Sequence, residues 1–88
     1  MSVSLKIDRM LKQLAGDIDT VNINGSTIAE CLSDLIRRFP DIEKKIYDNN
    51  GILIVMILHN GKAVYQKNLQ NPVNDGDKLQ LLIVMSGG

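Results

Sequence analysis

An α+β fold, a mixed five-stranded sheet with one main helix packed on one face, is predicted by three observations. Segments of strand character lie on both sides of a single well-capped amphipathic helix. The strands before that helix alternate apolar and polar residues, as half-buried strands do. After it come two strong turn signals, Asn60-Gly61 and Asp75-Gly76, each followed by a further strand-like run. The chain has 88 residues, enough for one domain, and no repeat or low-complexity segment. With 44% hydrophobic but only 3% aromatic residues, its core must be built from Ile, Leu, Val and Met.

Val3, Leu5 and Ile7 alternate with Ser4, Lys6 and Asp8, which makes a first strand. Met10, Leu11 and Leu14 follow at helical spacing and Gly16 stops them, so Arg9 to Gly16 reads as one or two helical turns bridging a wide hairpin. Ile18, Val21 and Ile23 belong to the second strand, which ends at Asn24-Gly25. Thr27 and Glu30 form a capping box. The Thr hydroxyl is expected to accept the Glu30 amide, and the Glu carboxylate to reach back to the cap amide. Ile28, Leu32, Leu35, Ile36 and Phe39 make the helix's apolar face, Arg37 and Arg38 suit its negative end, and Pro40 ends it. Asp41 to Tyr47 adds a short second helix with Ile42 and Ile46 on one side.

Ile52 to Leu58 is apolar at every position, and its length and β-branching favour a strand. Asn60-Gly61 predicts a type I′ hairpin, with Ala63 to Gln66 as the partner strand. The last strand runs from Lys78 to about Met85, with Leu79, Leu81 and Ile83 on one face. A hairpin, a crossover helix and a final strand returning beside the first make a β-grasp sheet. The helix covers one face only, so the apolar strand over 52–58 should leave an exposed apolar patch on the other.

Charges balance at ten against ten, which argues against a nucleic-acid binder. One cysteine, Cys31, and one histidine, His59, cannot supply a zinc-type ligand set. Cys31, beside the apolar face, reads as a small buried or boundary residue and His59 as a solvated strand-end residue. Arg37, Arg38, Lys44 and Lys45 read as a solvated basic face, and Asp75-Gly76-Asp77 as turn chemistry. Met56 and Met85 suit either an adaptable contact surface or plain packing. The longest apolar run is too short to span a bilayer and no signal-peptide pattern opens the chain, so a cytoplasmic protein is expected.

The sequence closes on Ser86-Gly87-Gly88. Glycines there pack nothing and cost backbone entropy to hold still, but they can pass through a narrow channel. A β-grasp ending so resembles the ubiquitin-like sulfur carriers, most nearly the molybdopterin synthase small subunit. Four further segments carry the resemblance: Met10 to Gly16, Arg38-Phe39-Pro40-Asp41-Ile42, Asn60-Gly61 and Asp75-Gly76-Asp77. Where molybdopterin members commonly have a Pro-Pro-Val type segment, this chain has Ile83-Val84-Met85-Ser86.

The resemblance implies one domain over residues 1–88 with a flexible tail from about 85 to 88. It implies that the Gly88 carboxylate is the reacting group, with Gly87 and Ser86 giving access. The chain would hold no cofactor or metal and would not be an enzyme on its own. ATP would be used by a partner E1-like adenylating enzyme. A sulfurtransferase or cysteine desulfurase would supply sulfur, and a large synthase subunit would receive it, in molybdenum or tungsten cofactor synthesis. A lysine-conjugated modifier, or a carrier for thiamine or cysteine synthesis, fits the same features.

Overall fold

The computed structural model describes residues 2–83. Five strands form one mixed sheet: β1 (Ser2–Lys6), β2 (Thr20–Asn24), β3 (Met56–His59), β4 (Lys62–Val64) and β5 (Lys78–Leu82). Their spatial order is β2-β1-β5-β3-β4, with β1 and β5 parallel and every other pair antiparallel. Helix α1 (Ile28–Arg38) crosses one face, and a single turn, α2 (Glu43–Ile46), follows it. The expected β-grasp is therefore the observed fold.

The core is aliphatic. From α1, Ile28, Cys31, Leu32 and Leu35 are buried against Val3, Leu5, Ile23, Ile57, Leu79 and Leu81 of the sheet. Burying each large aliphatic side chain contributes about 2 kcal/mol. Cys31 is buried in the core, one of the two places expected for it, and burial raises its thiol pKa. Ile42 and Ile46 are buried as expected, and Phe39 and Ile36 pack half-buried at the margin.

The α1 cap differs from the expected box in one bond. Thr27 Oγ1 accepts the Glu30 amide at 3.1 Å, but Glu30 Oε1 accepts from Ser26 N at 2.8 Å, one residue further back than the cap amide. Residues 26–28 run beside residues 71–73, where Ile28 N donates to Asn71 O and Val73 N to Ser26 O. Gly25 is required by close approach. An added Cβ would stand 2.7 Å from Cys31 N and 3.0 Å from Cys31 Sγ.

Several boundaries shift for reasons that local pattern does not contain. Ile52–Val55 does not join the sheet: Ile52 N donates to Asp48 Oδ1, Leu53 N to Gln66 Oε1, and Ile54 N to Ile46 O. The sheet strand begins only at Met56. β4 ends at Val64, because Tyr65 caps the 3-10 turn Gln66–Asn68. Ile18 lies outside β2 and is exposed, its amide turned back to Ala15 O. In the 3-10 turn Arg9–Ala15, Leu11 and Ala15 are buried while Met10 is 59% exposed, because the tighter turn rotates it off the expected face. The type I′ turn is present, with Asn60 at φ 50° and Gly61 at φ 86°.

Two polar clusters replace expected solvated residues. Asp34 accepts from Arg37 at 2.6 Å, from Arg38 at 3.0 Å and from Asn24 N at 2.9 Å, and Arg38 also donates to Asn22 O. Arg38 and Asp34 thus tie α1 to β2, while Arg37 pairs only with Asp34 of its own helix and stays exposed, as expected of a solvated basic face. His59 is half-buried, its Nε2 2.7 Å from Asp77 Oδ2. Asp77 also accepts from Asn74 N and Asn60 Nδ2, and Asn60 Oδ1 accepts from Lys78 N. These bonds join the β3–β4 turn to the Asp75-Gly76-Asp77 turn. They pull the Asp77 carboxyl from its ordinary 3.8 down to about 2, the Asn74 amide first, then His59 and Asn60.

Gly25→Ala should cost about 1–3 kcal/mol in urea unfolding, because the new methyl's nearest neighbours are helix backbone atoms of Glu30 and Cys31, which cannot turn aside. A midpoint equal to wild type would contradict the close approach. Asp77 is depressed, so its contribution to stability is present above its ordinary value and lost as pH falls from 3.8 towards about 2. Urea midpoints measured across that window should fall more in the wild type than in Asp77→Asn. Parallel slopes would contradict the cluster.

Candidate functional site

Ser86, Gly87 and Gly88, the residues singled out by the sequence, lie outside the described residues, as do Val84 and Met85. The described chain ends at Ile83, one residue past β5, at the root of the terminal segment. Strand direction fixes its surroundings. β5 runs parallel to β1 and antiparallel to β3, so its end lies beside the end of β1 and the start of β3.

Beyond Lys6 the chain leaves β1 for the 3-10 turn, and the backbone ladder stops. Asp8 takes over from it. Its Oδ1 accepts from Met10 N and its Oδ2 accepts from Ile83 N, both at 2.9 Å. These amides, Met10 first, hold the Asp8 carboxyl below its usual range, so it is an anion at neutral pH. Sequence reading took Asp8 only as the polar member of an alternating strand. Its cap role was open to detection from its place before Arg9-Met10-Leu11, but its bond to a residue 75 positions away was not.

The sheet face away from α1 has two halves. β1 and β2 present Ser4, Lys6, Thr20 and Asn22 there. β3, β4 and the end of β5 present Met56, Leu58, Ala63 and Leu82, with Met56 paired directly to Leu82. Ile54 and Met56 are 51% and 42% exposed, and Tyr65 stands beyond β4, also exposed. A groove of about 340 Å³ runs between 53–56 and 63–66. The exposed apolar patch expected on this face is therefore present around Met56, and Ile52 and Ile54 are exposed along the same run. It adjoins the point where the terminal segment departs.

On the opposite side, a shallow concavity of about 900 Å³ is lined by Glu43, Lys44, Tyr47, Gln66 and Gln70, among others. It gathers no nucleophile with a base, and burial there raises the Tyr47 phenol pKa. Among the described residues, no group of three His, Cys, Asp or Glu could hold a metal ion, and no helix is long and apolar enough to cross a membrane. What this arrangement offers is a recognition surface beside the end of β5, from which the terminal segment departs.

The model of the ThiS family matches residues 9–88. No curated protein matches the sequence. Solved structures do. The crystal structure of SAMP1 from Haloferax volcanii is 28% identical with TM-score 0.85, covering 100% of both chains. A chain of the BexX/CysO complex from Amycolatopsis orientalis is 26% identical with TM-score 0.85, covering 98% of this chain and 99% of that one. A chain from the complex of subunits 1 and 2 of the molybdopterin-converting factor from Helicobacter pylori is 22% identical with TM-score 0.65, covering 100% of both. At that identity it speaks for the fold alone.

Proposed function

This chain belongs to the ThiS family, and from that premise we propose that it is a sulfur carrier whose Gly88 carboxylate is activated by partner enzymes. Its fold is that of the ubiquitin-like sulfur carriers. One observation carries the reading: the family match extends through Gly87-Gly88, behind a strand whose end lies beside an exposed apolar patch.

A carboxylate resists nucleophiles because its charge is delocalised and repels them. Attack of a Gly88 oxygen on the α-phosphate of ATP releases pyrophosphate and leaves an acyl-adenylate with AMP as leaving group. The terminal sulfur of a donor persulfide then attacks the acyl carbon and AMP departs, giving an acyl disulfide. A donor thiol cleaves the S–S bond, ends as a disulfide, and leaves the thiocarboxylate. An E1-like adenylating enzyme supplies the first step, and a sulfurtransferase or cysteine desulfurase the persulfide. This chain binds no cofactor and is no enzyme by itself. It acts in the cytoplasm as a delivered reagent, and its contribution is positioning.

For the acceptor, we propose a molybdopterin-type synthase subunit, on the strength of Arg38-Phe39-Pro40-Asp41-Ile42 and the two Gly-containing turns. A second reading, conjugation to lysine amines, is favoured by the full-length likeness to SAMP1, a protein whose relatives are described as small archaeal modifier proteins. Both readings use the same activated carboxylate and differ only in the nucleophile that meets it.

Incubation with the cognate activating enzyme, ATP and a persulfide donor should convert part of the chain to a form with one oxygen replaced by sulfur, read by intact mass. Persistence of the carboxylate alone would overturn the carrier reading. Mapping of lysines bearing the tryptic remnant that runs from Leu79 to Gly88 in the source cells tests the modifier reading, which a complete absence of such adducts rejects. Met56→Asp should raise the KM of the carrier for its activating enzyme about tenfold, since it places a charge in an apolar contact, while its unfolding midpoint stays near wild type. An unchanged KM would remove the patch from the docking surface.

A further inference from the structure

We propose that Asp8 is a positioning residue for delivery of the terminal carboxylate, its side chain pinning the root of the terminal segment at Ile83. This inference rests on the sulfur-carrier reading and adds to it a residue far from Gly88 in sequence.

The geometry assigns Asp8 two separate tasks. Oδ1 accepts from Met10 N and caps the 3-10 turn, while Oδ2 accepts from Ile83 N. The backbone of Asp8 adds a third tie, its carbonyl accepting from Leu11 N at 2.8 Å. The carboxylate is thus fixed from its own side before it meets the terminal segment. Its bond to Ile83 falls where the β1–β5 ladder has run out, since the last backbone pair is Lys6 with Gln80. On the other side β3 pairs with Leu82 through Met56 and goes no further. Among the described residues, Asp8 therefore makes the last tie on the chain before the reacting end.

The position of that tie matters for reach. Gly88 lies five residues beyond Ile83, a distance of at most about 17 Å when fully extended. The tie fixes the point and the local backbone from which that segment starts. Holding the Ile83 amide limits the directions in which the carboxylate can be offered once the apolar patch has docked. The entropy of aiming is then met within the carrier before encounter, and a larger fraction of docked complexes holds the carboxylate at the ATP. Loss of the tie should lower turnover in the docked complex and leave docking alone.

Asp8→Asn separates the two tasks. An Asn side chain still offers one oxygen to cap Met10, and Asn is a good cap residue. Its amide nitrogen, a donor, then faces the Ile83 N–H and cannot accept from it. The variant should fold with an unfolding midpoint close to wild type, and the Ile83 amide should lose its protection from hydrogen exchange. In ATP–pyrophosphate exchange with the cognate activating enzyme, kcat should fall about tenfold with KM within twofold of wild type. Met56→Asp should show the opposite split.

If Asp8→Asn does not fold, an ester in place of the Ile83 amide, introduced by ligating a synthetic terminal segment, removes the same N–H without touching Asp8. It should give the same fall in kcat. Wild-type exchange with an undiminished kcat in the variant or the ester would overturn the role of Asp8 alone. No exchange with the wild type would overturn the carrier reading, and the role of Asp8 with it. A rise in KM with kcat unchanged would place Asp8 in docking and would also overturn the proposal.

Discussion

The parallel pairing of β1 with β5 is the constraint on which the rest of the molecule depends. It sets Leu5 beside Leu79 across nearly the whole length of the chain. Both side chains are buried, and the strands either side of this pair complete the surface that α1 covers. A parallel pair needs a crossover, and the crossover is what places α1 over one face and leaves the other bare. The same pairing decides where the terminal segment departs: at the end of β5, beside Asp8 and next to the start of β3. Fold, patch and exit are consequences of one strand arrangement.

The two faces of the sheet consequently have different work. Towards α1, Val3, Leu5, Ile57, Leu79 and Leu81 build an aliphatic core without Trp and with a single Phe at its margin. Away from it, Met56, Leu58, Ala63 and Leu82 have no covering layer among the described residues. Met56 and Ile54 stay exposed because their neighbours, Ile57 and Val55, are the ones turned to the helix. A residual apolar surface of this kind costs solubility unless a partner covers it.

What could be read in the sequence follows from how local each determinant is. Asn60-Gly61 was legible because both residues need positive φ and the need is written in their types. The capped helix was legible because its apolar spacing and its Thr27 cap are local. The strand over 52–58 was overextended because nothing local distinguishes Ile52–Val55 from Met56–Leu58. The difference lies in where the amides donate, to Asp48, Gln66 and Ile46. His59 was placed in solvent because Asp77 is 18 residues away and meets it only when β3 pairs with β5. Asp8 escaped notice for the same reason on a longer scale. Gly88 as the residue expected to react, with Gly87 and Ser86 for access, comes from the sequence and its family resemblance and lies outside the described residues. The groups that hold the root of their segment were found from the fold.

The central claim is that the folded domain presents, and the Gly88 carboxylate reacts. The most direct measurement is ATP–pyrophosphate exchange by the cognate activating enzyme with two forms of the chain, one ending in the Gly88 carboxylate and one in its carboxamide. The carboxamide keeps the domain, the patch, Asp8 and both glycines, and removes only the nucleophilic oxygen. Exchange with the carboxylate and none with the carboxamide is the predicted result. Equal exchange with both, or none with either, would contradict the account.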